Sequence, residues 1–216
     1  MLHRAVIYSL LLILGSCASY EPMPDVVENP RIEPKVTAKK VVKTQPKPEP
    51  DTNFSDFPTD WLPPAEVEKK WTAIVIHHSA TETGNAAIFD RMHREENLWE
   101  GVGYDFVIGN GTNSGDGEVE VTFCWRRQMA GAHCGGTPDN WANVDAVGIC
   151  LVDNFYYDVP TPKQMQSLTE LIRFLQQRYG ISTNRIYGHR STPGARVTDC
   201  PGKMFPMAKL KSMLGS

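Results

Sequence analysis

A chain of 216 residues leaves room for one ordinary domain with some chain to spare. Its 41% hydrophobic and 22% charged residues are those of a globular protein. The formal charge of −3 offers no electrostatic case for nucleic acid, and five cysteines are too few for a disulfide scaffold of this length.

The N-terminus reads as an export signal. His3 and Arg4 give a short basic start, and Ala5 to Leu14 is apolar apart from Tyr8 and Ser9. Such a run is too short to span a bilayer, which takes about 20 apolar residues, and fits the core of a secretory signal. Leu14-Gly15-Ser16-Cys17 then resembles a bacterial lipobox, in which cleavage precedes the cysteine and its sulfur is lipidated. The plain alternative is a signal peptide with a coincidental cysteine. The expected division is a signal at 1–16, an anchor and tether at 17–59, and a folded domain at 60–216. In the tether, eight of the 16 prolines fall between Pro22 and Pro58, and no aromatic residue occurs between Tyr20 and Phe54. A stretch of that kind buries too little apolar surface to fold, and its prolines make it a semi-rigid spacer. The expected location is a membrane facing the periplasm or cell wall; Ala18 lacks the aspartate associated with inner-membrane retention in some bacteria, which leans towards the outer membrane without deciding between the two.

All five tryptophans follow residue 60. Trp71 to His77 is a β-branched apolar run, expected as a strand buried on both faces. Ala86 to Leu98 has helical spacing. Tyr104–Ile108 and Val119–Phe123 read as strands around a glycine-rich loop, and Ala146–Val152 as another buried strand. Thr161-Pro-Lys-Gln164 opens a helix by capping box and N-terminal proline; Met165, Leu168, Ile172 and Leu175 form its core stripe, and Gly180 ends it. Arg185–Gly188 is a last short strand. The pattern predicts an α/β domain with a mixed sheet.

Chemistry-bearing residues gather at strand ends: His77-His78-Ser79, Gly188-His189-Arg190, and Thr198-Asp199-Cys200-Pro201-Gly202. Adjacent strand residues face opposite ways, so only one of His77 and His78 enters a given pocket. Two imidazoles and one thiolate match a catalytic zinc site, which keeps its fourth position open. Taken singly, each residue has an ordinary alternative: a hydrogen-bonded histidine, or a cysteine paired in a disulfide. Cys200 as a nucleophile with His189 as base is a further rival, but such a thiol favours a helix start, whereas Cys200 precedes Pro-Gly.

Ile74-Val-Ile-His-His-Ser79, Gly103-Tyr-Asp-Phe-Val-Ile-Gly109, Gly131-Ala-His133, Val147-Gly-Ile149 and Gly188-His-Arg…Thr198-Asp-Cys-Pro-Gly202 resemble, in order, the motifs of type-2 N-acetylmuramoyl-L-alanine amidases. Peptidoglycan recognition proteins and phage amidase-lysozymes belong to the same superfamily. The resemblance spans about residues 71 to 206. It implies a mixed sheet flanked by helices, zinc on His77, His189 and Cys200, and cleavage of the amide between N-acetylmuramic acid and L-alanine. It also implies that Tyr104 and Thr198 line the catalytic centre, with His133 and Asn154 as substrate-binding candidates; His133 is equally a loop pin. Peptidoglycan is the expected partner, alongside the membrane through Cys17, and a monomer is expected. Non-catalytic peptidoglycan binding is the alternative, although receptors of this family typically lack the cysteine. Two departures stand out. The eleven-residue step from His189 to Cys200 is longer than in recognition proteins, and Cys150 and Thr198 stand where some relatives carry a catalytic glutamate and lysine. His93 and Cys150 are expected to be structural, and Cys124 is a candidate to pair with Cys134.

Overall fold

The computed structural model describes residues 54–215. The expected signal, Cys17 and the tether up to residue 53 lie outside the described residues. Strands β1 (Ala73–His78), β2 (Phe106–Ile108), β3 (Val119–Val121), β4 (Ala146–Leu151) and β5 (Ile186–Gly188) form one sheet in the order β3-β2-β4-β1-β5. β1 runs parallel to both β4 and β5, β2 is parallel to β4, and β3 closes the edge antiparallel to β2. The helices are α1 (Ala86–Glu95), α2 (Phe123–Arg127), α3 (Trp141–Val144), α4 (Pro162–Tyr179) and α5 (Met207–Met213). This is the mixed α/β sheet with flanking helices that the sequence predicts.

Strand alternation sorts the sheet into two unlike faces. Ile74 and Ile76 of β1, with Val147, Ile149 and Leu151 of β4, pack under Leu168, Leu171, Ile172 and Leu175 of α4 in one large apolar core. Ala73 and Val75 turn to the other face, beside Cys134 and Ala142, while Cys150 and Val107 pack there with Phe89 of α1. α4 begins as expected: Thr161 Oγ1 accepts the Gln164 amide at 3.0 Å, and Gln164 Oε1 accepts the Thr161 amide at 3.1 Å. Gly180 ends it in the left-handed region at φ +69°, where a side chain is strained.

Four expectations need correction. The run 119–123 leaves the sheet at Val121, and Phe123 starts α2 instead. α1 stops at Glu95, three residues short, and Leu98 stands exposed at φ +57°. Packing begins before residue 60, because the rings of Phe54 and Phe57 meet Phe174 edge-on at 5.8 and 5.4 Å. Finally, Cys124 and Cys134 are free thiols: Cys124 donates to the Val102 carbonyl at 3.1 Å, whereas Cys134 packs in a separate cluster with Val75.

Candidate active site

β1 delivers two histidines in opposite directions. His78 Nδ1 accepts the Phe155 amide at 3.0 Å, and its ring lies against Phe155. His77, 1% exposed, points to the face opposite the main core. Alternation therefore makes the choice between them, as the period of two requires. β5 ends at Gly188, and His189 opens a single 3-10 turn beyond it. The long loop that follows returns to the same place, because the Arg190 amide donates to the Cys200 carbonyl at 2.7 Å. Gly188 permits this return: a Cβ there would lie 2.8 Å from Pro201 Cδ. The Cys200–Pro201 peptide is cis.

One ligand atom each from His77, His189 and Cys200 lies within 4.8 Å of the others. Cys200 Sγ is 3.6 Å from His77 Nδ1. Tetrahedral zinc with bonds of 2.0–2.3 Å separates its ligands by about 3.5 Å, so this pair stands at coordination spacing. His189 Nε2 is buried without a hydrogen-bond partner. Such an atom is costly unless something else satisfies it, and a cation would.

The electrostatics agree. Burial, then the neighbouring His133 and His189, hold His77 well below the ordinary histidine range, and burial lowers His189 too. Both are neutral imidazoles at neutral pH, the form that ligates metal. Burial pushes the Cys200 thiol up to about 12, although the backbone amide of His78 favours its thiolate. A bound cation would reverse that preference and deprotonate the sulfur. The residues present fit zinc.

A cleft of about 410 Å³ opens over this group, lined by His77, His189 and Cys200 together with Tyr104, His133 and Thr198. A second hollow of about 370 Å³ shares Trp99, His133, His189 and Thr198 with it and adds Arg196 to its wall. The Tyr104 ring lies 5.2 Å from His77 and packs on the side of the sheet that carries Cys150. Thr198 Oγ1 accepts the Cys200 amide at 3.2 Å, which leaves the hydroxyl hydrogen available to the cleft. His133 touches His77 directly, at 3.1 Å between Nε2 of His77 and Nδ1 of His133.

Asn154 is the sequence candidate that the structure does not bring to this cleft. It lines a separate hollow of about 400 Å³ with Glu82, Asn110 and Asp158, and its Oδ1 accepts the Tyr156 amide. An open hollow of about 430 Å³ between α1 and α2 holds no comparable cluster of ligand atoms. The sequence reading missed Trp99, 40% exposed at the cleft wall, and gave His93 a purely structural place. His93 does hold the Gly103 amide through Nδ1 at 3.1 Å, but its ring also stands 5.8 Å from Tyr104 and lines the cleft. The signal for Trp99 was an aromatic a few residues beyond a helix, in a segment that no core stripe claims.

A family model described as N-acetylmuramoyl-L-alanine amidase matches residues 67–203. The chain is 30% identical over 150 residues to peptidoglycan-recognition protein SC1a of Drosophila melanogaster, covering 62% of this chain and 73% of that one. Among solved structures it is similar to the N-acetylmuramoyl-L-alanine amidase LysC from Clostridium intestinale URNW, at 30% identity and a TM-score of 0.57, over 67% of this chain and 85% of that one. A Drosophila PGRP-LB variant in complex with tracheal cytotoxin shares the fold, with a TM-score of 0.52 at 24% identity over 67% of this chain and 82% of that one. Sequence motifs, sheet topology and cleft agree: the chain belongs to the type-2 N-acetylmuramoyl-L-alanine amidase and peptidoglycan recognition protein family.

Proposed function

We propose that the domain is a zinc-dependent amidase that hydrolyses the bond between N-acetylmuramic acid and L-alanine in peptidoglycan or its fragments. One observation carries the reading: His77, His189 and Cys200 converge, with His189 Nε2 buried and unpartnered. Three protein ligands are the catalytic pattern, whereas structural zinc sites close with four. Zinc, when bound there, supplies a Lewis acid for the carbonyl and lowers the pKa of a water to about 7.

The chain's own groups do the rest. Tyr104 and Thr198 present hydroxyls from the cleft wall, where they hold the oxyanion as it develops. His77 and His189 remain neutral, so no imidazolium competes for the ligand positions. Trp99 gives the cleft an exposed aromatic wall for the substrate to lie against. We also propose that lipidation of Cys17 anchors an exported monomer to a membrane facing the wall, with the proline-rich segment as spacer. Loss of fatty-acid labelling in Cys17→Ser would support the anchor, and unchanged labelling would refute it.

The test of the enzymatic reading is release of L-alanyl stem peptide from purified cell wall. Activity should vanish with a chelator, return with zinc, and be absent in Cys200→Ser. Tight binding to cell wall with no cleavage in added zinc would instead establish a receptor. Full metal content in Cys200→Ser would overturn the ligand assignment.

A further inference from the structure

The glycines around His133 mark an unusual packing arrangement. β4 is buried throughout, yet carries Gly148 at its centre. Glycine inside a strand weakens it unless another group must approach closely. That group is the His133 imidazole: a Cβ on Gly148 would fall 2.4 Å from its Cδ2, and a Cβ on Gly131 would fall 2.6 Å from the same atom. The backbone is fixed as firmly as the ring. Asn143 Oδ1 accepts the amides of both His133 and Cys134 at 2.9 Å, and its Nδ2 donates to the Cys134 carbonyl. Asp105 grips Gly148 from both sides: its amide donates to the Gly148 carbonyl, and its carboxylate accepts the Gly148 amide, each at 2.8 Å.

The ring so held has an acceptor on one side and a histidine on the other. His133 Nε2 lies 3.3 Å from the Ala146 carbonyl, which only accepts, so Nε2 carries the hydrogen. In a neutral imidazole Nδ1 then bears the lone pair. His77 Nε2, 3.1 Å away, must donate to it. His77 Nδ1 is left with a lone pair, and it is this atom that stands 3.6 Å from Cys200 Sγ.

We infer that His133 is a positioning residue that sets the tautomer of His77 and so turns its Nδ1 lone pair towards the metal. The inference rests on the zinc reading above and goes beyond it, giving His133 a task distinct from substrate contact or loop pinning. Histidine ligands depend on a partner of this kind on the second nitrogen, and losing it typically costs about 10–100-fold in metal affinity.

The test uses the full chain and zinc alone. Zinc affinity is measured by competition with a chromophoric chelator for the wild type, His133→Ala and His133→Asn. ¹⁵N spectra of the metal-free proteins read the His77 tautomer. The wild type should show His77 protonated at Nε2. His133→Ala should mix the two tautomers and weaken zinc about 10–100-fold. The carboxamide of His133→Asn places a carbonyl oxygen where Nδ1 was, so that variant should restore the tautomer and most of the affinity. Unchanged zinc affinity and an unchanged tautomer in His133→Ala would overturn the inference. Equal losses in both variants, with the tautomer unchanged, would also overturn it and leave a loop pin. A wild type that binds no zinc refutes the metal reading instead, and the ¹⁵N spectra still decide the tautomer.

Discussion

The two faces of the sheet are made from the same strands and do opposite things. On the α4 face, Ile74, Ile76, Ile149 and Leu151 are fully buried among Leu168, Leu171 and Phe174, with aromatic rings closing the ends. On the other face, one residue along, stand His77 and Cys150, with His133 laid over Gly148. The first face is apolar and close-packed, so its atoms have no unmet needs. The second holds buried polar atoms, the unpartnered His189 Nε2 among them, at the carboxyl end of parallel strands. Open α/β sheets place their ligands in that position. Stability and chemistry are thus separated here by a single step in strand register. Substitutions on the two faces should therefore have separable effects.

The largest effect expected is on the polar face. His189→Ala should abolish stoichiometric zinc binding and stem-peptide release, well beyond the ~10–100-fold of an outer-shell change. The metal-free Tm should move little, because the half-buried ring removed gives up one contact with His77 and its Nε2 makes no hydrogen bond. A Tm that collapses without zinc would show that the two faces are not separable. Tyr104→Phe tests the same face more gently. It keeps the ring against His77 and deletes one hydroxyl, so kcat should fall by ~10²–10³ with zinc content unchanged. Unchanged kcat would remove Tyr104 from the reaction. Leu168→Ala is the counterpart on the apolar face. It should cost about 2–5 kcal/mol on unfolding, while zinc affinity of the folded fraction stays at the wild-type value. Weaker zinc binding in that variant would mean that the core transmits strain to the site.

Legibility in the sequence follows the same division. α4 was readable end to end because its cap, stripe and stop are local, and β1 and β4 because their apolar runs are unbroken. Short α2, α3 and α5 were not, since helices of 4–7 residues owe their form to tertiary contacts such as Trp125 on Trp71. Among the candidate site residues, His77, His189 and Cys200, which the structure brings together, were marked by strand ends and motif order. His133 appeared in a motif, but its contact with His77 depends on a missing Cβ at Gly148, fifteen residues further on. No local pattern encodes that. Asn154 stands apart for the complementary reason: it follows the right strand, but it lines another hollow.

The smallest effect belongs to the edge of the apolar face and is read through pH. Glu68 Oε1 and Oε2 accept from Arg178 Nε and Nη2 of α4 at 2.6 Å each, and Oε1 also accepts the Tyr179 hydroxyl at 2.9 Å. Burial opposes the charge on Glu68, but the Arg178 and Tyr179 hydrogen bonds outweigh it and hold the carboxyl below its ordinary value of 4.5. A folded-state pKa below the unfolded one means stabilisation that is full above about pH 5 and is lost as pH falls through the folded value. Arg178 stays charged throughout this range and also lies over the Phe54 ring, so it ties the start of the described chain to α4. Glu68→Gln keeps the shape and removes the charge. It should therefore cost about 0.5–1 kcal/mol at pH 7, as a partly solvated pair does, and the difference should narrow steadily below pH 4.5. Zinc affinity at pH 7 should not change, because the pair serves the α4 face alone. A stability difference that persists undiminished at low pH would show that the carboxamide loses packing rather than charge.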